Sequence, residues 1–212
     1  MERLSTWSKS LTGSKPLFVF DLDSTITKCE LLPLIAESVG LGSEMTELTE
    51  AAMQGNVSFE QSFLKRVGLL EQVSVSQARS IAAKQPLHEK IAGFIRANSQ
   101  QCMILTGNLD VWIEPILEDI GMKESCVCSR AVVCNDHVQK IAYIPDKGKV
   151  CKGLQRPFIA TGDGSNDVGM LKSADIGIAF GGARALSDAV IQVADIVTTD
   201  ENELISYLSS FL

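Results

Sequence analysis

Aromatic residues are scarce in this 212-residue chain, at 6% of the total, and neither a low-complexity segment nor an internal repeat is present. A disordered or repeat-built protein is therefore not expected. No apolar run of about 18 residues occurs, so no membrane-spanning helix is expected. Positive charge is in deficit: 19 Lys and Arg stand against 26 Asp and Glu, a formal charge of −7. Such a chain repels phosphate backbones, which argues against a nucleic-acid partner. The first residues, Met1 to Ser14, lack the apolar stretch of a secretory signal. They read as a polar tail, and the expectation is a cytoplasmic protein with its cysteines free. Cys102 lies in an apolar run and reads as a core residue. Cys126, Cys128, Cys134 and His137 are close enough in sequence to raise the question of zinc. Their spacing fits none of the usual zinc patterns, and the segment reads instead as a hairpin.

What is present is a buried core and a strand–helix alternation. Apolar residues make up 45% of the chain, enough for one generous domain or a core with an insertion. Leu17 to Phe20, Cys102 to Leu105, Phe158 to Thr161 and Asp175 to Phe180 are short apolar runs ending in acid, hydroxyl or glycine. Ile196 to Thr198 is a candidate fifth strand. Ile91, Phe94 and Ile95 share a helical face, as do Trp112, Ile113, Ile116, Leu117 and Ile120, and Leu204, Ile205, Leu208 and Phe211. This alternation predicts an α/β fold, a parallel sheet with helices on both faces. Ligands in such sheets bind at the carboxyl ends of the strands, where the polar punctuation converges.

Between Glu30 and Leu87 the alternation stops. Four helical patterns follow one another, beginning at Leu31, Met45, Phe59 and Val75, with no strand among them. We read 29–87 as a helical cap inserted after the first strand, and 15–28 with 88–212 as the core. The crossing points fall near Thr27 and Pro86. Ser129 to Tyr143 reads as a hairpin turning at Asn135-Asp136.

Asp21-Leu22-Asp23-Ser24-Thr25 places two carboxylates just beyond a buried strand. Once the chain turns, both can face one phosphorus atom, one as nucleophile and the other as proton shuttle. Gly162-Asp163-Gly164-Ser165-Asn166-Asp167 adds two acids at a glycine-rich turn. Four like charges at one sheet edge repel, and a hard divalent cation such as Mg2+ resolves the conflict through oxygen ligands. The plainer reading makes Asp167 only a helix-dipole partner. Thr106-Gly107-Asn108 offers a hydroxyl and a turn after a strand, a possible phosphate cradle but a common connection. Lys147 can neutralise phosphoryl oxygens, with Lys149 and Lys152 as competitors for that role.

Together these motifs resemble the haloacid dehalogenase superfamily, from about Leu17 to the end of the chain, and within it the phosphoserine phosphatase group. Asp21 to Thr25 and Gly162 to Asp167 carry the superfamily match. Glu30, Ala52-Met53-Gln54-Gly55, Phe59 to Ser62 and Lys65-Arg66-Val67 resemble that group's cap. The resemblance implies a Rossmann-like three-layer core with a four-helix cap. It implies hydrolysis of a small phosphomonoester through an aspartyl-phosphate: Asp21 attacks, Asp23 moves the proton, and Thr106, Gly107 and Lys147 bind phosphoryl oxygens. The metal set would be Asp21, the backbone carbonyl of Asp23, and Asp163, with Asp167 behind them. Glu30 would meet a substrate amine and Arg66 a carboxylate. Met53 and Phe59 would supply apolar surface, and Asn166 would lie close to metal or substrate. Thr106-Gly107-Asn108 departs from the group's usual Ser-Gly-Gly, which leaves the leaving group open: another small phosphate ester, or phosphoryl transfer to an alcohol, are the alternatives. Oligomeric state is not legible in the sequence.

Overall fold

The computed structural model describes residues 15–53 and 57–212; the polar tail expected over 1–14 lies outside the described residues. The strands are β1 (Leu17–Phe20), β2 (Cys102–Leu109), β3 (Cys126–Cys134), β4 (His137–Tyr143), β5 (Phe158–Gly162), β6 (Ile176–Phe180) and β7 (Ile196–Thr198). They form one seven-stranded sheet in the order β4-β3-β2-β1-β5-β6-β7. Every neighbouring pair is parallel except the β3–β4 hairpin.

β1 is central because its apolar run suits burial on both faces. Side chains alternate across a strand, so Phe18 and Phe20 point to one face and Val19 to the other. The first face packs on α5 (Glu89–Ala97), α6 (Asp110–Asp119) and α10 (Glu201–Ser209), through Ile91, Phe94, Ile113, Ile116, Leu204 and Leu208. Phe18 meets Phe94 edge-on at 5.1 Å. The second face packs on α7 (Lys147–Lys152), α8 (Val168–Ser173) and α9 (Asp188–Ile191), through Cys151, Met170, Leu171 and Val190. The result is the three-layer α/β core expected.

Four helices fill the stretch between β1 and α5: α1 (Leu31–Glu37), α2 (Gly42–Met53), α3 (Phe59–Leu69) and α4 (Val75–Ala82). Ser58 and Ser74 cap α3 and α4 by accepting from the backbone N–H of Gln61 and Gln77. Leu32, Ile35, Met45, Phe63 and Val67 build an apolar cluster that also takes in Leu109 and Trp112 from the end of β2 and the start of α6. The helical unit is thus seated on the sheet's carboxyl edge. Where the chain crosses between the two units, Thr27 pairs with Leu87 in an isolated antiparallel bridge, and the Lys28 N–H donates to the Pro86 carbonyl at 2.9 Å.

Two local expectations need correcting, and the hairpin expectation holds. β2 runs on to Leu109, so Thr106-Gly107-Asn108 is strand rather than turn; the Ser129 hydroxyl holds the Gly107 carbonyl at 2.7 Å, and Leu109 pairs with Ser129 beyond a bulge. β6 begins at Ile176, because the Asp175 carboxylate is engaged by the Phe158 N–H and by Arg156. Cys126 and Cys128 are buried, whereas Cys134 and His137 are exposed at the hairpin tip. That tip turns without glycine: Asn135 and Asp136 take φ of +50° and +63°, a conformation these two residues tolerate best among those with a side chain.

Candidate active site

Strand register assembles the site. Phe20 is level with Ile104 on one side and Thr161 on the other. The Asp21 N–H continues the ladder to the Thr161 carbonyl at 2.9 Å. Asp21 therefore emerges beside Gly162 and Asp163, at the point where the chain's strand order reverses direction. Asp21, Asp163 and Asp167 each offer a carboxylate oxygen, all within 4.8 Å of one another, and all three residues are buried.

Lys147 is buried among them, with Nζ 2.5 Å from Asp21 Oδ1 and 2.6 Å from Asp167 Oδ1. Its rivals are elsewhere: Lys149 is exposed and pairs with Asp146, and Lys152 is exposed. The other oxygen of Asp167 accepts from the Asp163 and Gly164 N–H groups, each at 3.0 Å. Asp163 Oδ2 is buried without an aligned hydrogen bond. Its companion is the guanidinium of Arg184, whose Nε lies 3.0 Å away. An under-satisfied buried carboxylate beside two others, with oxygen donors only, fits a hard divalent cation.

The Asp23 side chain is not part of this trio but lines the same pocket as Asp21. Its Oδ2 accepts from Asn108 Nδ2 at 3.0 Å, and its Oδ1 from the Leu31 N–H at 3.0 Å. Asn108 is held in turn by the Leu109 N–H on its own Oδ1, at 2.8 Å, and Thr106 Oγ1 accepts from the Asn108 N–H at 3.1 Å. Burial pushes Asp21 up to about 7, with Lys147 opposing and Asp167 adding to the rise. Burial and the Glu30 charge push Asp23 up to about 7, against the Asn108 and Leu31 hydrogen bonds. Asp163 is raised well above the carboxylate range by burial and then by Glu30 and Asp167.

Leu32, Phe59, Phe63 and Arg66 close the pocket from the helical side, and Glu30, Gly107 and Asn166 complete its wall. The free space between them is about 20 Å³, room for a water or so. Phe59 and Phe63 stack at 5.5 Å, with the Arg66 guanidinium 5.8 Å from each ring. Phe59 lies so close over Gly107 that any side chain there would overlap its ring. Arg66 is buried; its Nη1 donates to Thr49 Oγ1, while Nε and Nη2 have no partner among the described residues. The Ser165 hydroxyl reaches the Ala52 carbonyl at 2.7 Å, tying the glycine-rich turn to α2. Met53 ends α2, and the contact expected of its side chain lies outside the described residues.

Two residues at the site were not anticipated. Ser24, at φ +59°, donates to Glu30 Oε1 at 2.9 Å. Arg184 bridges Glu30 and Asp163. The clue to Arg184 was Gly181-Gly182 after a strand, which marks a loop returning to the same sheet edge.

Acids and a buried lysine at the switch point of a mostly parallel sheet, roofed by helices, define the class: an α/β protein with a carboxylate centre at its strand ends. Residues 18–172 match the family model for haloacid dehalogenase-like hydrolases, and the chain belongs to that family. It is similar to a phosphoserine phosphatase of Lactococcus lactis, 29% identical over 193 residues, covering 84% of this chain and 89% of that one. It is also similar to a phosphoserine phosphatase of Archaeoglobus fulgidus, 27% identical over 217 residues; the match takes in 95% of this chain and 60% of that longer protein. Among solved structures, a phospho-aspartyl intermediate analogue of phosphoserine phosphatase superposes with a TM-score of 0.77 at 25% identity, covering 92% of this chain and 99% of the other.

Proposed function

We propose that the chain is a magnesium-dependent phosphomonoesterase of the phosphoserine phosphatase type, working through an aspartyl-phosphate. The observation that carries this reading is the meeting of Asp21 with Asp163 and Asp167 around one point, bridged by Lys147. The names borne by its relatives, and their near-complete overlap with this chain, support phosphoserine or a close relative as substrate.

The Asp21 carboxylate attacks phosphorus in line and the ester oxygen leaves. Asp23, held near neutrality by burial, gives that oxygen its proton and then takes one from the water that cleaves the acyl phosphate. Lys147, Thr106 and the Gly107 N–H face the phosphoryl oxygens. Asp21, Asp163 and the Asp23 carbonyl would hold magnesium, with Asp167 orienting that set, and the ion would supply further neutralisation of the phosphoryl charge. Asn166 stands at the pocket wall toward the metal or the substrate. The small free volume beside Asp21 fits a reading in which α1 to α4 open for the ester and close over it as a cap. Arg66 meets the carboxylate of the leaving group, and Phe59 covers its apolar part.

A panel of small phosphomonoesters, run with magnesium and again with a chelator, tests this. Hydrolysis that the chelator removes is expected; a chain inert toward every ester would overturn the reading.

A further inference from the structure

Proton delivery to a leaving oxygen depends on where the carboxyl that carries the proton points. Rotation about the Cβ–Cγ bond of an aspartate is soft and sets no sharp direction of its own. Whatever fixes the Asp23 carboxyl must therefore come from outside the residue. The Leu31 N–H reaches its Oδ1 at 3.0 Å, and Asn108 Nδ2 spans both oxygens, 3.0 Å from Oδ2 and 3.3 Å from Oδ1.

Asn108 is itself held in place. It lies in β2, is buried, and its Oδ1 accepts from the Leu109 N–H at 2.8 Å. That bond fixes which end of the amide faces Asp23. The reverse orientation would set Oδ1 against a carboxylate and the NH2 group against an N–H. Both ends of the amide are thus engaged within the protein, so the side chain holds Asp23 rather than meeting a substrate. The lone pairs of Asp23 are filled unevenly. Oδ1 takes two donors and Oδ2 takes one, which leaves the open position for a mobile proton on Oδ2.

We propose that Asn108 is a positioning residue for proton transfer: its amide fixes the plane of the Asp23 carboxyl and leaves Oδ2 as the oxygen that delivers the proton. The inference rests on the phosphomonoesterase reading above. In the first step the Asp21–phosphorus bond forms, the bond from phosphorus to the ester oxygen breaks, and the proton on Asp23 Oδ2 passes to that oxygen. In the second step water bonds to phosphorus, the Asp21–phosphorus bond breaks, and a proton of that water returns to Asp23 Oδ2. Asn108 forms no bond to the substrate in either step.

The need for that proton varies with the leaving group, which gives a readout that a merely structural residue would not move. A nitrophenolate departs with little help, whereas the alkoxide of an alkyl ester must be protonated. The test compares, with magnesium, para-nitrophenyl phosphate and the alkyl phosphomonoester that wild type hydrolyses best. Asn108→Ala should lower kcat/KM for the alkyl ester at least about tenfold more than for the aryl ester, a part of the 100- to 10,000-fold that a positioned general acid is typically worth. Asp23→Asn should show the same bias in greater degree. Asn108→Leu, which keeps the volume without the donor, repeats the test should the alanine variant not fold. A smaller bias, an equal loss on both esters or no loss would overturn the inference while leaving the phosphomonoesterase reading intact. If wild type hydrolyses no ester at all, that reading is lost as well.

Discussion

Three buried carboxylates, Asp21, Asp163 and Asp167, meet with Lys147 between Asp21 and Asp167 and Arg184 beside Asp163. Burial depresses the lysine's proton affinity, but Asp167 and Asp21 outweigh it, so the net shift is upward and the ammonium persists. Asp21→Asn keeps the shape and removes the nucleophile: turnover should fall to background while the melting curve shows a folded protein. The acids also set a pH signature in the metal-free protein. Asp21 and Asp23 titrate at about 7 in the folded state against 3.8 in the unfolded chain. The folded state thus binds more protons in that window, and its stability falls as pH rises from about 4 through about 7. Asp23→Asn should flatten that slope in thermal melts of chelated protein; an unchanged slope would contradict the assigned shift. These acids were legible in the sequence because each follows an apolar run at a strand end. Arg184 was not, because a single arginine in a loop carries no periodicity, and only the fold brings it back to Asp163.

Helix α3 delivers Phe59, Phe63 and Arg66 to the pocket from one face, since residues three or four apart share a side of a helix. A lone arginine on a helix is ordinarily solvated, so the helical pattern by itself does not bring Arg66 to the site. The structure buries the arginine under two phenyl rings instead. Arg66→Ala should raise KM for an ester bearing a carboxylate by about 10- to 100-fold, the worth of a charge-assisted hydrogen bond, and should leave para-nitrophenyl phosphate nearly untouched. Equal effects on both would remove Arg66 from carboxylate recognition. The β2 segment is the element whose limits were misjudged. Thr106-Gly107-Asn108 has turn composition, yet a neighbouring strand with a hydroxyl at Ser129 holds it extended. Gly107 is needed there for the ring above it rather than for its backbone freedom. Gly107→Ala should therefore displace Phe59 and raise KM for every ester, a loss that does not depend on the substrate's charge.

At the scale of the molecule, the layering was readable from alternation alone: Phe18 and Phe20 against Val19 divide the two helical layers. The helical stretch after β1 was readable as well, from four successive patterns without a strand. How tightly those helices sit on the strand ends was not, because it depends on contacts such as Ser165 to Ala52 and on the shared cluster around Trp112. The acid cluster also makes the whole fold sensitive to a cation. A ligand bound at 100 times its Kd stabilises the folded state by about 2.7 kcal/mol, or about 5–10 °C in melting temperature for a chain of this size. Magnesium should produce a shift of that order in wild type and little or none in Asp163→Asn. A full shift in the variant would place the metal elsewhere.

The account depends most on a covalent bond between phosphorus and Asp21. Wild type mixed with substrate and magnesium, quenched in acid within the first turnover and reduced with borohydride, should yield homoserine at position 21 in peptide mass spectra. Steady turnover with no modified residue, or with the modification at any other carboxylate, would contradict it.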